Sequence, residues 1–339
     1  MEISTRRWFQ LTGPLLFLAL LPLLYSKQSG ASWRDPSPHT VQFVAVENGV
    51  RLEVLDWGGT GRPLVFLAGG GNTAHVFDEF ATKLTSKNHV YGITRRGFGA
   101  SGFSTSENEV DRLRDDVLTV IDQLKLDRPV LVGHSIAGAE LSAIGTFRPA
   151  RVAGLVYLEA GYPYAFDNGT GPAMKEFQEI KGPQPPPARY SDLASFRALQ
   201  RWDAQTYGFR IPEAEFRQIW DSSADGRPLK VRVFPGSQVF TTILTGNRQY
   251  SDIPVPALVV FAIPHVPENW TSKITDRKVR EAAQAYFKTV DALTEKQAKA
   301  LEAGVPTARV IRLRGAHYLF LSDEPGVLRE MRAFLARLP

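Results

Sequence analysis

No cysteine occurs anywhere in the 339 residues, and that single absence excludes several chemistries together. Disulfides, thiolate zinc sites, thiol nucleophiles and a lipidated N-terminal cysteine all fall away. An excess of one charge sign is also missing. Forty Lys and Arg stand against 35 Asp and Glu, a net charge of +5, and both signs are spread along the chain. There is no dense basic block to follow a phosphate backbone, so nucleic acid is not an expected partner. No His-Glu-x-x-His motif is present, and neither a metal nor a cofactor is expected. Long apolar runs are absent but for Leu11 to Tyr25, which Pro14 and Pro22 interrupt. That run is shorter than the roughly 20 apolar residues that span a bilayer comfortably. With Arg6 and Arg7 before it, the run has the form of a secretory signal or signal anchor, and the paired arginines resemble a twin-arginine signal. Residues 1–31 are therefore set apart from the fold as a signal peptide or membrane anchor. The expected location is exported, periplasmic or secreted, or membrane-associated through this segment.

What remains, 308 of the 339 residues, suffices for a full core. Val41 to Glu47 and Val50 to Trp57 flank Asn48-Gly49, a hairpin signal because both turn residues tolerate positive φ. Short apolar runs then alternate with helical spacing. The runs are Pro63 to Leu67, His89 to Thr94, Pro129 to Gly133, Val152 to Glu159, Ala257 to Ala262 and Ala308 to Leu313. Helical periodicity is plain over Val110 to Leu124 and Pro325 to Leu338. Such alternation predicts an α/β fold, a mostly parallel sheet of eight strands with helices on both faces. The rhythm breaks between residues 162 and 256, where Pro183-Gln184-Pro185-Pro186-Pro187 and many aromatics occur. This stretch is too long for a loop and predicts an inserted helical cap, with helices near Leu193–Ala204 and Glu213–Asp221. The core is thus expected in two pieces, 32–161 and 257–339.

The strongest chemical signal is Leu131-Val132-Gly133-His134-Ser135-Ile136-Ala137-Gly138. A buried strand runs into Gly-x-Ser, and a helix-forming run follows directly. A serine at so sharp a turn is held in a strained conformation with its hydroxyl projecting above the sheet. Ala137 stands where the common Gly-x-Ser-x-Gly pattern has its second glycine.

With these features the chain resembles the α/β-hydrolase fold family from about Val41 to Leu338. The resemblance implies a triad of nucleophile, acid and histidine in that chain order. Ser135 would be the nucleophile. His317, in the Arg314-Gly315-Ala316-His317-Tyr318 loop after the last strand, would be its base. Phe66-Leu67-Ala68-Gly69-Gly70-Gly71-Asn72 occupies the place of the family's oxyanion loop, and the N–H groups of Gly70 and Ile136 would hold the oxyanion. For the acid there are two candidates. Glu159 ends the sixth strand, and Glu268 follows the seventh, where His265 stands in the place of the customary aspartate. Arg95-Arg96-Gly97-Phe98-Gly99-Ala100-Ser101-Gly102 is similar to the family's loop after the fourth strand. It also matches G-x-G-x-x-G, but Phe103 to Asn108 intervene before any helix, against a dinucleotide site.

The expected activity is a serine hydrolase acting through an acyl-enzyme on a carboxylic ester, with a small or medium apolar substrate. Amide or C–C bond hydrolysis is the alternative within the class, with a cofactor-free peroxidase-like side activity beside it. A non-catalytic binding protein on the same fold is the alternative outside it. Aromatics of the insertion (Tyr162, Tyr164, Phe166, Trp202, Tyr207, Phe209, Trp220) are expected either to line the pocket or to form the cap's own core.

Overall fold

The computed structural model describes residues 33–104, 110–245 and 249–339. The N-terminal segment with the signal or anchor pattern lies outside them, and no described helix is long and apolar enough to cross a membrane. The eight strands of the sheet are β1 (Thr40–Glu47), β2 (Val50–Gly58), β3 (Arg62–Leu67), β4 (Asn88–Ile93), β5 (Val130–His134), β6 (Gly154–Leu158), β7 (Ala257–His265) and β8 (Ala308–Gly315). They lie in the order β1-β2-β4-β3-β5-β6-β7-β8. β2 runs antiparallel to both its neighbours, and the other pairings are parallel. The hairpin forms where Asn48-Gly49 predicts it, with Gly49 at φ 80°.

The central strands are apolar on both faces because both faces are covered. Leu131 and Leu155 pack with the helices Val110–Gln123 and Ala137–Phe147 on one side. Val130, Val132 and Val156 pack with Phe77, Phe80, Met331 and Phe334 on the other. Alternation of side chains along each strand thus feeds two separate cores. A helix of 28 residues, Arg277–Gly304, joins β7 to β8 and contributes Ala298 and Leu301 to the first core.

Between β6 and β7 lie the helices Met174–Glu179, Phe196–Tyr207, Glu213–Ile219 and Gln238–Thr245. The insertion is not wholly helical as expected. Trp220–Ser222 pairs antiparallel with Pro228–Val231, so Trp220 and Asp221 belong to a ribbon and not to the helix end. The turn residues Asp225-Gly226, with Gly226 at φ 80°, reverse the chain there. The first aromatics of the stretch, Tyr162, Tyr164 and Phe166, belong to the main core.

Two buried arginines pin the loop after β4. Arg95 binds both oxygens of Glu140, at 3.0 and 2.7 Å, and donates to the Ala68 carbonyl at 2.9 Å. Arg96 makes a two-pronged pair with Asp116, at 2.5 and 2.7 Å. Both Arg96 and Asp116 are almost wholly out of solvent, so removing Asp116 leaves the buried Arg96 with only the longer, one-pronged contact to Glu47 at 3.3 Å. Asp116→Ala should therefore cost about 3–5 kcal/mol in urea unfolding, whereas Asp122→Ala at the exposed Arg151 pair should cost less than about 1 kcal/mol. Equal losses would refute this division.

Candidate active site

Ser135 lies between β5 and the helix Ala137–Phe147 at φ 54°, a left-handed conformation that is costly for a residue with a side chain. The turn is anchored by Ser135 N donating to Leu158 O at 3.2 Å. Small residues around it answer to close approaches. A Cβ on Gly69 would stand 2.6 Å from a ring nitrogen of His134, and one on Gly138 would stand 1.9 Å from the carbonyl oxygen of Ala160. The second glycine that this elbow requires is therefore Gly138, and Ala137 is tolerated one position earlier. Beside the turn, the amides of Gly70 and Ile136 donate to no other group among the described residues. These are the two amides expected to hold an oxyanion.

Glu159 ends β6 at φ 50° with its side chain wholly buried. Its Oε1 accepts from Ala262 N at 2.6 Å, and its Oε2 accepts from Tyr162 Oη at 2.7 Å. His317 Nδ1 lies 3.1 Å from the same Oε2. Burial would raise this carboxyl's pKa, but contacts from His265 and His317 and their charge outweigh it and hold the group far below the usual carboxylate range. Of the two candidate acids, then, Glu159 is the one bonded to His317. Glu268 instead accepts from Trp270 Nε1 at 2.6 Å.

The far nitrogen of His317, Nε2, is buried and has no hydrogen-bond partner among the described residues. No bond to Ser135 is closed, a looseness common in sites without substrate. His317 is steadied from behind, where its carbonyl accepts from His134 Nε2 at 3.0 Å. Burial and the neighbouring His317 push the His134 pKa down to about 3, so His134 is a neutral donor across the physiological range.

Several neighbours of the site carry little signal in the sequence. His265, noted only as standing in the usual acid position, approaches Glu159 Oε2 at 3.5 Å while its Nδ1 lies 2.7 Å from Asp291. Burial would lower its pKa, but Asp291 and Glu159 raise it to about 9. The signal for this pair was weak, because Asp291 lies 26 positions away within a helix. A second link joins the chain after Gly69-Gly70-Gly71 to the insertion. Asn72 Nδ2 and Thr73 N donate to Glu215 Oε1 at 2.8 and 3.1 Å, and Tyr318 Oη donates to Asn72 Oδ1 at 2.8 Å.

Above the loop is a cavity of about 230 Å³, whose walls include Gly70, Gly71, Leu199, Trp202, Phe216 and Tyr318. Ser135 is not among its lining residues. Trp202, Tyr207 and Trp220 reach it, whereas Tyr162, Tyr164 and Phe166 do not. Phe209 instead stacks on Tyr318, with ring centroids 5.2 Å apart.

Residues 64–330 match the model of a family described as the alpha/beta hydrolase family. The chain belongs to that family. It is 33% identical over 120 residues to a putative non-heme haloperoxidase of Mycobacterium phage D29, across 35% of this chain and 43% of that protein. With the non-heme chloroperoxidase of Streptomyces lividans it shares 30% identity over 41% of this chain and 52% of the relative. It thus spans only about half the length of these curated relatives. Among solved structures, E-2-(acetamidomethylene)succinate hydrolase superposes with a TM-score of 0.59 at 16% identity, covering 88% of this chain and 99% of that one. The thioesterase domain of the curacin biosynthetic pathway gives 0.57 at 16% identity, with 88% and 99% covered. At such identities these two likenesses speak for the fold alone.

Glu215 offers a direct test of the loop-to-insertion link. Burial raises its pKa to about 7, opposed by hydrogen bonds from Thr73 and Asn72. A carboxyl raised above its unfolded value adds stability that is complete below about pH 4.5 and lost as pH rises towards 7. Glu215→Gln should therefore remove about 2–4 kcal/mol of pH-dependent stability across that window. Denaturant titrations at pH 4.5, 6 and 8 would show this, and an unchanged slope would contradict it.

Proposed function

We propose that this chain is a serine hydrolase that cleaves carboxylic esters of small or medium apolar acyl groups through an acyl-enzyme. The observation that carries this reading is the union of three features in one place. These are a strained serine at a strand-to-helix turn, a histidine bonded to a buried ionised carboxylate, and two undonated backbone amides beside the serine. In the proposed cycle Ser135 Oγ attacks the ester carbonyl as His317 Nε2 takes its proton. The N–H groups of Gly70 and Ile136 hold the negative oxygen of the tetrahedral intermediate. His317 then passes the proton to the departing alcohol, and the acyl group remains on Ser135. Water follows, activated by the same Nε2, and the acid is released. Glu159 keeps the imidazole in the tautomer with Nδ1–H and stabilises the imidazolium.

The cavity supports the apolar substrate class, since Leu199, Trp202, Phe216 and Ile219 are among its walls. The names borne by the relatives span more than one reaction, so bond type rests on the site and not on them. Amide and C–C substrates are the comparison set for the assay.

A fluorophosphonate probe should label the wild-type protein, fail to label Ser135→Ala and label His317→Ala far more slowly. Absence of labelling in folded wild type would favour a binding protein on this fold, and labelling of Ser135→Ala would mean another nucleophile. Ester turnover should fall about 10²–10⁴-fold in Glu159→Gln and stay unchanged in Glu268→Gln. The reverse pattern would move the acid to Glu268.

Chain-length selectivity tests the cavity. Trp202→Ala should shift the preferred p-nitrophenyl ester towards longer acyl chains by raising kcat/KM for them, about 10-fold or more per well-filled pocket group. An unaltered preference would place acyl binding elsewhere.

A further inference from the structure

A second cluster of ligating side chains lies away from Ser135, behind the oxyanion loop. Asp35 and His39 belong to the segment leading into β1. His75 sits in the short turn Ala74–Phe77, and Asp78 opens the next short helix. Each of the four offers one nitrogen or oxygen as a ligand atom, and these atoms all lie within 4.8 Å of one another. Close contacts link all four residues, His39 through both of its nitrogens and Asp78 through both of its oxygens. His39 Nδ1 is 2.8 Å from Asp78 Oδ1, and His75 Nδ1 is 3.3 Å from Asp78 Oδ2. His75 Nδ1 is 3.5 Å from Asp35 Oδ2, and His39 Nε2 is 3.8 Å from the same oxygen. Around a tetrahedral ion with bonds of about 2.0–2.1 Å, neighbouring ligand atoms stand roughly 3.3 Å apart.

Two further observations point to a ligand. The first is charge. Asp35, Asp78 and Glu53 converge on the two imidazoles, Glu53 Oε1 lying 3.6 Å from His75 Nε2. Among the described residues no Lys or Arg pairs with any of the three, so the two imidazoles are the only basic side chains set against three carboxylates in a mostly buried place. Buried charges are ordinarily paired or bind metals. The second is an orphan. His75 is 2% exposed, yet its Nε2 has no hydrogen-bond partner among the described residues. If Nδ1 bound an ion, Nε2 would carry the proton and face Glu53, the outer carboxylate that a metal-bound histidine commonly has. The carboxylates are steadied in the same way, Asp78 by Trp57 Nε1 at 2.9 Å and Asp35 by Ser37 N at 2.9 Å.

From this geometry we infer that Asp35, His39, His75 and Asp78 form a structural site for a divalent transition ion, zinc first. Two nitrogens and two oxygens suit zinc better than calcium or magnesium, which take six or more oxygens or near-octahedral water-rich shells. Four protein ligands complete a tetrahedron and leave no position for substrate, so the ion's role is structural. It clamps the segment before β1 to the chain that continues from Asn72 and Thr73.

The test uses the full chain, untagged and stripped with chelator, titrated with zinc chloride in a calorimeter and followed by thermal unfolding. One zinc per chain is expected, with Tm rising roughly 4–8 °C when free zinc is a hundredfold above its Kd. His75→Gln should lose the bound equivalent and the Tm rise, and His89→Gln, at the separate Asp56 pair, should keep both. If His75→Gln does not fold, His39→Gln decides by the same two readings. No stoichiometric zinc in the wild type overturns the inference. So does retention of the zinc and of the Tm rise in the folded ligand variant.

Discussion

A carboxylate with no access to water sets the terms for everything around Ser135. Glu159 is wholly buried at the end of β6, and an ionised carboxyl there is tolerable only if nearly every lone pair has a donor. The fold supplies donors from three separate elements. Ala262 N comes from β7, Tyr162 Oη from the chain just beyond β6, and His317 Nδ1 from the loop after β8. Because the donors belong to different strands, satisfying one charge also fixes how β6, β7 and the β8 loop stand relative to each other. His265 and Asp291 extend the network outwards. The end of β7 thus sets an imidazole, its pKa raised to about 9, against the carboxylate, where the customary aspartate of the family would stand.

How much of this could be read from the chain depends on whether a feature is local. The sheet was legible because a strand buried on both faces must be a short continuous apolar run, as at Leu131-Val132 or Leu155-Val156. The elbow was legible because Gly133, Ser135 and Ala137 lie within five residues. The finer requirement was not, since nothing local says that Gly138 meets the Ala160 carbonyl. Glu159 could be singled out by its place at a strand end, but its partners are scattered from Tyr162 to His317. Asp291 lies in a long amphipathic helix, where one acidic residue gives no local sign of a partner 26 positions away. The ribbon at Trp220–Val231 had a turn signal in Asp225-Gly226, yet its strands are three and four residues long. That is too short for alternation to register.

The polar clusters were the least legible part. Asp35 and His39, like His75 and Asp78, are spaced so that each pair shares a face of a local turn, but the four meet only when β1 and β2 dock against the loop after β3. Motif reading looks for ligands at fixed short spacings and has no purchase on a set assembled from two distant segments.

These contacts converge on one short stretch, Gly69 to Asp78, and hold it from several sides. Gly69 is pressed against His134 and the Ser135 Cβ, which fixes its distance from the elbow. Asn72 and Thr73 are held by Glu215 of the insertion and by Tyr318. Ala74 N donates to Thr94 Oγ1, which in turn donates to Glu53, and His75 and Asp78 are engaged with the segment before β1. Donors that stabilise a developing oxyanion act best when they need not move as charge appears. A glycine-rich loop has no stiffness of its own, since Gly69, Gly70 and Gly71 surrender more conformational freedom on ordering than other residues. Its order must be imposed from outside. On the proposed reading of Ser135 and His317, the buried polar groups flanking this loop are therefore part of the catalytic design through the order they impose on it. Sequence on either side of the glycines, and not the glycines themselves, decides how well the oxyanion is held.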